Sequence, residues 1–173
     1  MQAELTLRRA TALFALSRLE DALDVLAEMP GRAPTRSLAA RFLELEGRTR
    51  VALGEFVMAR AVLEEALTLA EESGHRGLAR SLDARIGVGM THQGEHEAAE
   101  ARLLRGLEHA RNAGDQRQAT HLLGHLGLVR ASRGEVSAAQ ADCREAVELA
   151  EARALSQDLS RWNGELGRLL AAN

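Results

Sequence analysis

The stretch Gly127-Leu128-Val129-Arg130-Ala131-Ser132-Arg133-Gly134-Glu135-Val136-Ser137-Ala138-Ala139 carries three marks that decide the fold. They are a glycine at 127, a Gly-Glu pair at 134–135 and an alanine at 139. Forty residues upstream the same marks stand at Gly87, Gly94-Glu95 and Ala99, and forty further at Gly47, Gly54-Glu55 and Ala59. Gly167 extends the first column by one more step of 40. Three columns keeping one period identify an internal repeat. The units are 40–79, 80–119 and 120–159, followed by a half unit over 160–173. An upstream copy fits 3–39 at a spacing of 37, with Ala10, Ser17 and Ala22 in the three columns. That copy is degenerate, as terminal repeats often are, and includes the loop Pro30-Gly31-Arg32-Ala33-Pro34.

Each unit reads as two helices and a tight turn. In the 40–79 unit, helix A is expected over about Ala40 to Leu53 and helix B over about Phe56 to Glu72, with Gly54 breaking the chain between them. Ala59, Val62, Leu63, Ala66, Leu69 and Ala70 follow the three-and-four spacing of one buried helical stripe. The same stripe recurs as Ala99, Leu103, Gly106, Leu107 and Ala110, and as Ala139, Cys143, Ala146, Val147 and Ala150. Small residues in the first glycine column and in the alanine column suit a close crossing of helices A and B, where a larger side chain would force the axes apart. Gly74 and Gly114 fall just beyond helix B, where a glycine can adopt a positive φ.

Composition agrees. Ala, Leu, Arg and Glu fill 102 of the 173 positions, and the two prolines lie in one segment. Lysine is absent, which reads as the codon bias of a high-GC bacterial genome. One cysteine cannot form an internal disulfide and points to a reducing cytoplasm. No apolar run reaches the length of a membrane span. Arg8-Arg9 precedes an apolar stretch too short for an export signal, so α-helix from the start of a cytoplasmic chain is expected.

These columns resemble the tetratricopeptide repeat family: glycine at the helix-A crossing, glycine at the A–B turn, alanine five residues on, then a large and a small residue in helix B. The last pair is Leu63/Ala66, Leu103/Gly106, Cys143/Ala146 and, less regularly, Leu26/Met29. The 40-residue period is similar to the long repeats of kinesin light chains, spindle-orientation adaptors and many bacterial regulators, the surplus being assigned to longer helix B ends and linkers. Two columns depart from the family pattern. Glu46 replaces the large residue before the helix-A glycine, and Arg50, Met90 and Arg130 replace the aromatic after it. The resemblance implies a single all-α domain over 1–173, a right-handed superhelical solenoid of about four helix-turn-helix repeats. Its final lone helix caps the last apolar face, or the chain is a piece of a longer array.

The resemblance also implies that helices A line a concave groove and helices B the convex face. Helices A sum to +6 and helices B to −12, so the net −3 hides a segregated distribution. A cationic groove attracts acidic segments. The expected function is therefore a protein-interaction scaffold that holds an acidic peptide or protein segment, without catalysis or cofactor. Positions two, five and nine of helix A face the groove in this family. Here they are Arg41, Glu44 and Arg48; Ser81, Ala84 and Val88; His121, Gly124 and Leu128; Arg161, Gly164 and Arg168. Arg41, Arg48, His121, Arg161 and Arg168 are the candidate peptide-binding residues, the arginines as bidentate partners of carboxylates. The competing reading of the four arginines is that they are ordinary solvated helix charges paired with Glu neighbours. Neither the lysine/asparagine carboxylate clamp nor the asparagine ladder of related peptide binders is present.

Other chemistry is thinly represented. His121 and His125 have the four-residue spacing of a metal pair, but no third ligand is fixed beside them, and a pH-sensitive groove lining is the other reading. His92 and His96 are separated by the break at Gly94 and should not share a face. Cys143 stands in the column of Leu63 and Leu103, as a small buried hydrophobe. No phosphate loop, nucleophile elbow or dinucleotide fingerprint occurs. The scarcity of aromatics and the acidic helices B argue against nucleic acid. Trp162 is expected to be a core plug. Two further readings stay open: a sensor module within a larger bacterial transcription regulator or signalling protein, and self-association through the repeat edges.

Overall fold

The computed structural model describes residues 2–28 and 33–171. The expected loop residues Pro30, Gly31 and Arg32, and Met29 of the first unit, lie outside them. Among the described residues there are nine helices and no strand. They are α1 (Gln2–Ala15), α2 (Leu19–Ala27), α3 (Arg36–Ala52), α4 (Phe56–Glu72), α5 (Arg76–Gln93), α6 (His96–Ala113), α7 (Gln116–Ser132), α8 (Val136–Ala152) and α9 (Ser156–Ala171). The chain divides into two compact units, Met1–Gly89 and Met90–Asn173.

One turn geometry joins the helices. After α7, Gly134 takes φ 78° and returns its N–H to the Ala131 carbonyl, while the Glu135 N–H reaches back to Arg130 at 2.9 Å. This pair of bonds satisfies the carbonyls left open at a helix C-terminus. The Glu135 carbonyl then accepts from Ala139 and starts α8. Gly54 and Gly94 repeat the geometry between α3 and α4 and between α5 and α6, and Gly74 and Gly114 repeat it after α4 and α6. Two positions adopt it without glycine. Ser17, aligned to the turn column in the degenerate first unit, has φ 57°, and Ala154, forty residues after Gly114, has φ 52°.

The structure moves the starts of helices A. Each begins four residues before its expected unit boundary, at Arg36, Arg76, Gln116 and Ser156. Thr35 and Asp115 cap two of these starts, accepting from the Leu38 and Gln118 N–H groups at 3.2 and 3.0 Å. The surplus over a shorter repeat therefore lies in an extra helix A turn. The linkers around α4 to α9 are only two or three residues.

In the first unit, Ala3, Leu7 and Ala10 of α1, Val25 and Leu26 of α2, and Phe42 and Leu45 of α3 form a core. Arg8-Arg9 thus belongs to a helix packed into the fold. In the same unit α3 crosses α4 so closely that a Cβ at Gly47 would lie 2.5 Å from Leu63 Cγ. In the second unit a Cβ at Gly127 would lie 2.5 Å from Cys143 Sγ and 3.2 Å from the Ala139 carbonyl. The helix B stripes are buried as expected, including Ala59, Leu63 and Ala66, and Ala139, Cys143 and Ala146.

Candidate functional site

The arginines of helices A are less free than their sum suggests. Arg50 bonds Glu46 at 2.9 Å and Glu55 at 2.7 Å. Arg130 holds both oxygens of Asp142, at 2.9 and 2.8 Å, and Glu100 at 3.1 Å. Arg133 also reaches Glu100, and pairs with Glu135 at 3.0 Å. This explains why Arg50 and Arg130 stand where the family pattern has an aromatic: each ties helix A to acids beside it, while Met90 in the same column is simply buried. Much of the segregated charge is thus neutralised across the A–B seams rather than displayed on one face.

In the first unit, Arg41 is exposed and makes no ion pair among the described residues. It borders an open groove of about 430 Å³ along α1. Glu4, Leu7, Arg8, Thr11, Ala12 and Ala15 line it, with Leu7 buried and the others exposed. Arg48 is half-buried and lies with its guanidinium 4.7 Å over the Phe14 ring. Glu44, another position expected in the groove, is engaged by Arg85 at 3.2 Å. Ala84 and Val88 of α5 are buried and cannot be open groove positions.

In the second unit, His121 and Arg161 are brought together around Trp162. The Arg161 guanidinium lies 4.6 Å over the indole, and the His121 ring centre is 6.3 Å from it. Arg168 is exposed and bonded to Glu165. Trp162 is wholly buried, as a core plug should be. It fills the space over Gly124, where any Cβ would lie inside the indole ring. Gly124 is therefore covered by the chain's own α9 and does not line an open groove.

His125 is 1% exposed, stacked 4.7 Å from His121, with His92 edge-on at 5.6 Å and Trp162 edge-on at 5.4 Å. Burial first, then the neighbouring His121, Arg161 and His92, hold its pKa well below the usual histidine range. The break between α5 and α6 does separate His92 from His96. Among the described residues, no group of three or more His, Cys, Asp or Glu is placed to hold a metal. No described helix is long and apolar enough to cross a membrane. Cys143 is buried, and burial raises its thiol to about 11, which agrees with a packing role.

The sequence does not mark Arg8 as lining a groove or His92 as a neighbour of His125. Arg8 was weighed only as part of a signal-like pair, and His92 meets His125 across 33 residues, a separation that no local spacing marks.

No family model and no curated protein matches the chain. Solved structures do match. BtubC (BKLC) from P. vanneervenii superposes with TM-score 0.58 at 17% identity, over 98% of this chain and 77% of that one. Residues 41 to the end of MamA from Desulfovibrio magneticus RS-1 give 0.62 at 16%, over 98% and 93%. The Rap conjugation gene regulator of plasmid pLS20, solved with the Phr* peptide, gives 0.61 at 18%; this chain, covered to 98%, spans 51% of it. At these identities the likeness speaks for the fold, and it agrees with the period, the turn geometry and the close helix crossings: each unit is an all-α array of helix-turn-helix repeats.

Proposed function

We propose that the chain is a non-catalytic protein-interaction scaffold that binds an acidic peptide or protein segment through exposed helix A arginines. The observation that carries this reading is Arg41, an exposed cation with no ion pair among the described residues, lining the α1 groove together with Arg8. The two guanidiniums offer bidentate sites to carboxylates, outweighing the one carboxylate of the lining, Glu4, and the apolar lining residues Leu7, Ala12 and Ala15 suit small apolar side chains between them. Arg161 serves the same role in the second unit, and His121 lies beside it. Arg48 and Arg168 contribute after exchanging Phe14 and Glu165 for a ligand carboxylate. The Rap structure, a regulator solved with a peptide, supports peptide recognition on this fold.

Affinity capture with the quadruple variant Arg41→Glu, Arg48→Glu, Arg161→Glu and Arg168→Glu tests the reading. Partner capture should be lost while helicity by circular dichroism stays intact; undiminished capture would sink the arginine assignment. A second reading is a sensor segment of a longer regulator, which the likeness to Rap, a conjugation gene regulator, supports. A DNA-binding or nucleotide-binding domain encoded in the same reading frame would support it.

A further inference from the structure

The second unit contains a buried imidazole, His125, that the peptide reading leaves unused, although it takes Arg161 and His121 from the same cluster. His92 of α5, His121 and His125 of α7, and Arg161 beside Trp162 of α9 converge on one buried imidazole. Neither ring nitrogen of His125 has a hydrogen-bond partner among the described residues, so an imidazolium there would be desolvated and unsatisfied. The surrounding acids are committed elsewhere. On α6 and α8, Glu100 and Asp142 are held by Arg130 and Arg133, and Glu145 by Arg111. On α9, Glu165 is held by Arg168, and Asp158 stands one turn before Trp162 without being among the groups that act on His125. The groups acting on its charge are His121, Arg161 and His92, each of which opposes protonation. The indole offers only partial relief, because Arg161 already occupies one face.

We propose that α9 is an acid-released latch: unprotonated His125 keeps Trp162 docked on α7, and uptake of protons by His125 and His92 beside Arg161 lifts α9 away. The attachment suits release. Trp162 is the large side chain that α9 buries completely, and it sits over Gly124 of α7, a contact of shape rather than of hydrogen bonds, while α8 holds the far end of α9 through Gln140 Nε2, which donates to the Leu169 carbonyl at 3.1 Å. His92 is also held below the usual range, by burial and then by Arg161. A histidine that is harder to protonate when docked gains its proton after release. Docking is therefore at full strength above about pH 6.5 and weakens as pH falls below it, by up to about tenfold per pH unit for each such histidine. Release would uncover His121 and Gly124 on α7. Whether that face then binds a peptide belongs to the previous proposal, and the latch does not depend on it.

The chain reports on itself, because Trp162 is its single tryptophan and there is no tyrosine. Emission maximum and acrylamide quenching are followed from pH 8 to pH 4.5, alongside circular dichroism at 222 nm. The expected result is a red shift and a several-fold rise in quenching below pH 6.5, while ellipticity falls by no more than the share of α9. His125→Phe keeps an aromatic ring that cannot be protonated and should abolish the transition or move it at least one pH unit lower. Arg161→Gln, at an exposed position that does not threaten folding, should also move it lower. The proposal is overturned if quenching stays constant across the range, or if only intensity falls without new accessibility. It is overturned equally if ellipticity collapses together with the fluorescence change, or if both variants titrate like the parent.

Discussion

Replacing Gly127 with alanine adds a methyl 2.5 Å from Cys143 Sγ, where carbon and sulfur need well over an ångström more. The sulfur cannot swing aside, since Cys143 is fully buried and the Ala139 carbonyl stands 3.2 Å from the same methyl. Overpacking of this kind costs about 1–3 kcal/mol, and the helix propensity gained on losing glycine returns about 1 kcal/mol. Gly127→Ala should therefore destabilise by up to about 2 kcal/mol. Cys143→Ala removes one buried atom and should cost about 1 kcal/mol. In the double variant the new methyl takes the place of the sulfur, so the two costs should not add; an interaction energy of about 1–2 kcal/mol is expected. Gly167 is the internal control. It occupies the same sequence column, yet a Cβ there meets nothing within 4 Å, so Gly167→Ala should stabilise α9 by up to about 1 kcal/mol. Urea unfolding followed at 222 nm and by Trp162 emission measures all four variants. Additive effects in the double variant, or the same sign at Gly127 and Gly167, would refute the close-crossing argument.

Other outcomes follow from the same geometry. Ser17 and Ala154 hold a left-handed backbone with a Cβ, so Ser17→Gly and Ala154→Gly should each stabilise by about 0.5–1 kcal/mol, read as a rise in the urea midpoint. Arg130→Met should destabilise by about 1–3 kcal/mol because Asp142 and Glu100 lose their cation, and Asp142→Ala added to it should recover part of the loss. Cys143, with its thiol pushed up to about 11, should react with iodoacetamide at pH 8 only as fast as the protein unfolds, whereas a fast phase in the native state would contradict its burial.

The repeat was readable because its marks are single residues with single geometric reasons. The Gly134 column sits at a positive φ, and the Gly127 column sits under a neighbouring helix. Even the degenerate Ser17 was placed correctly, since the chain must turn there whether or not glycine is available. The starts of helices A were misplaced because the capping residues Thr35 and Asp115 are not periodic columns of the repeat. The charge split by helix was right as arithmetic and misleading as a map. Ion pairs such as Arg130 with Asp142 and Glu100 join residues 12 and 30 apart, and which arginines they neutralise depends on packing. Arg41 stands outside such pairs among the described residues, while Gly124 loses its expected exposure to Trp162, an aromatic the sequence correctly marked as core.

The claim that matters most is that this fold presents usable cationic sites for acidic segments. Its direct test is fluorescence anisotropy of the intact chain with a labelled Glu/Asp-rich peptide containing leucine, against the same peptide with Lys/Arg in place of the acids. Saturable binding of the acidic peptide, weakening as salt screens the arginines, with no binding of the basic one, is the expected result. Equal affinity for both peptides, or a preference for the basic one, would contradict the account.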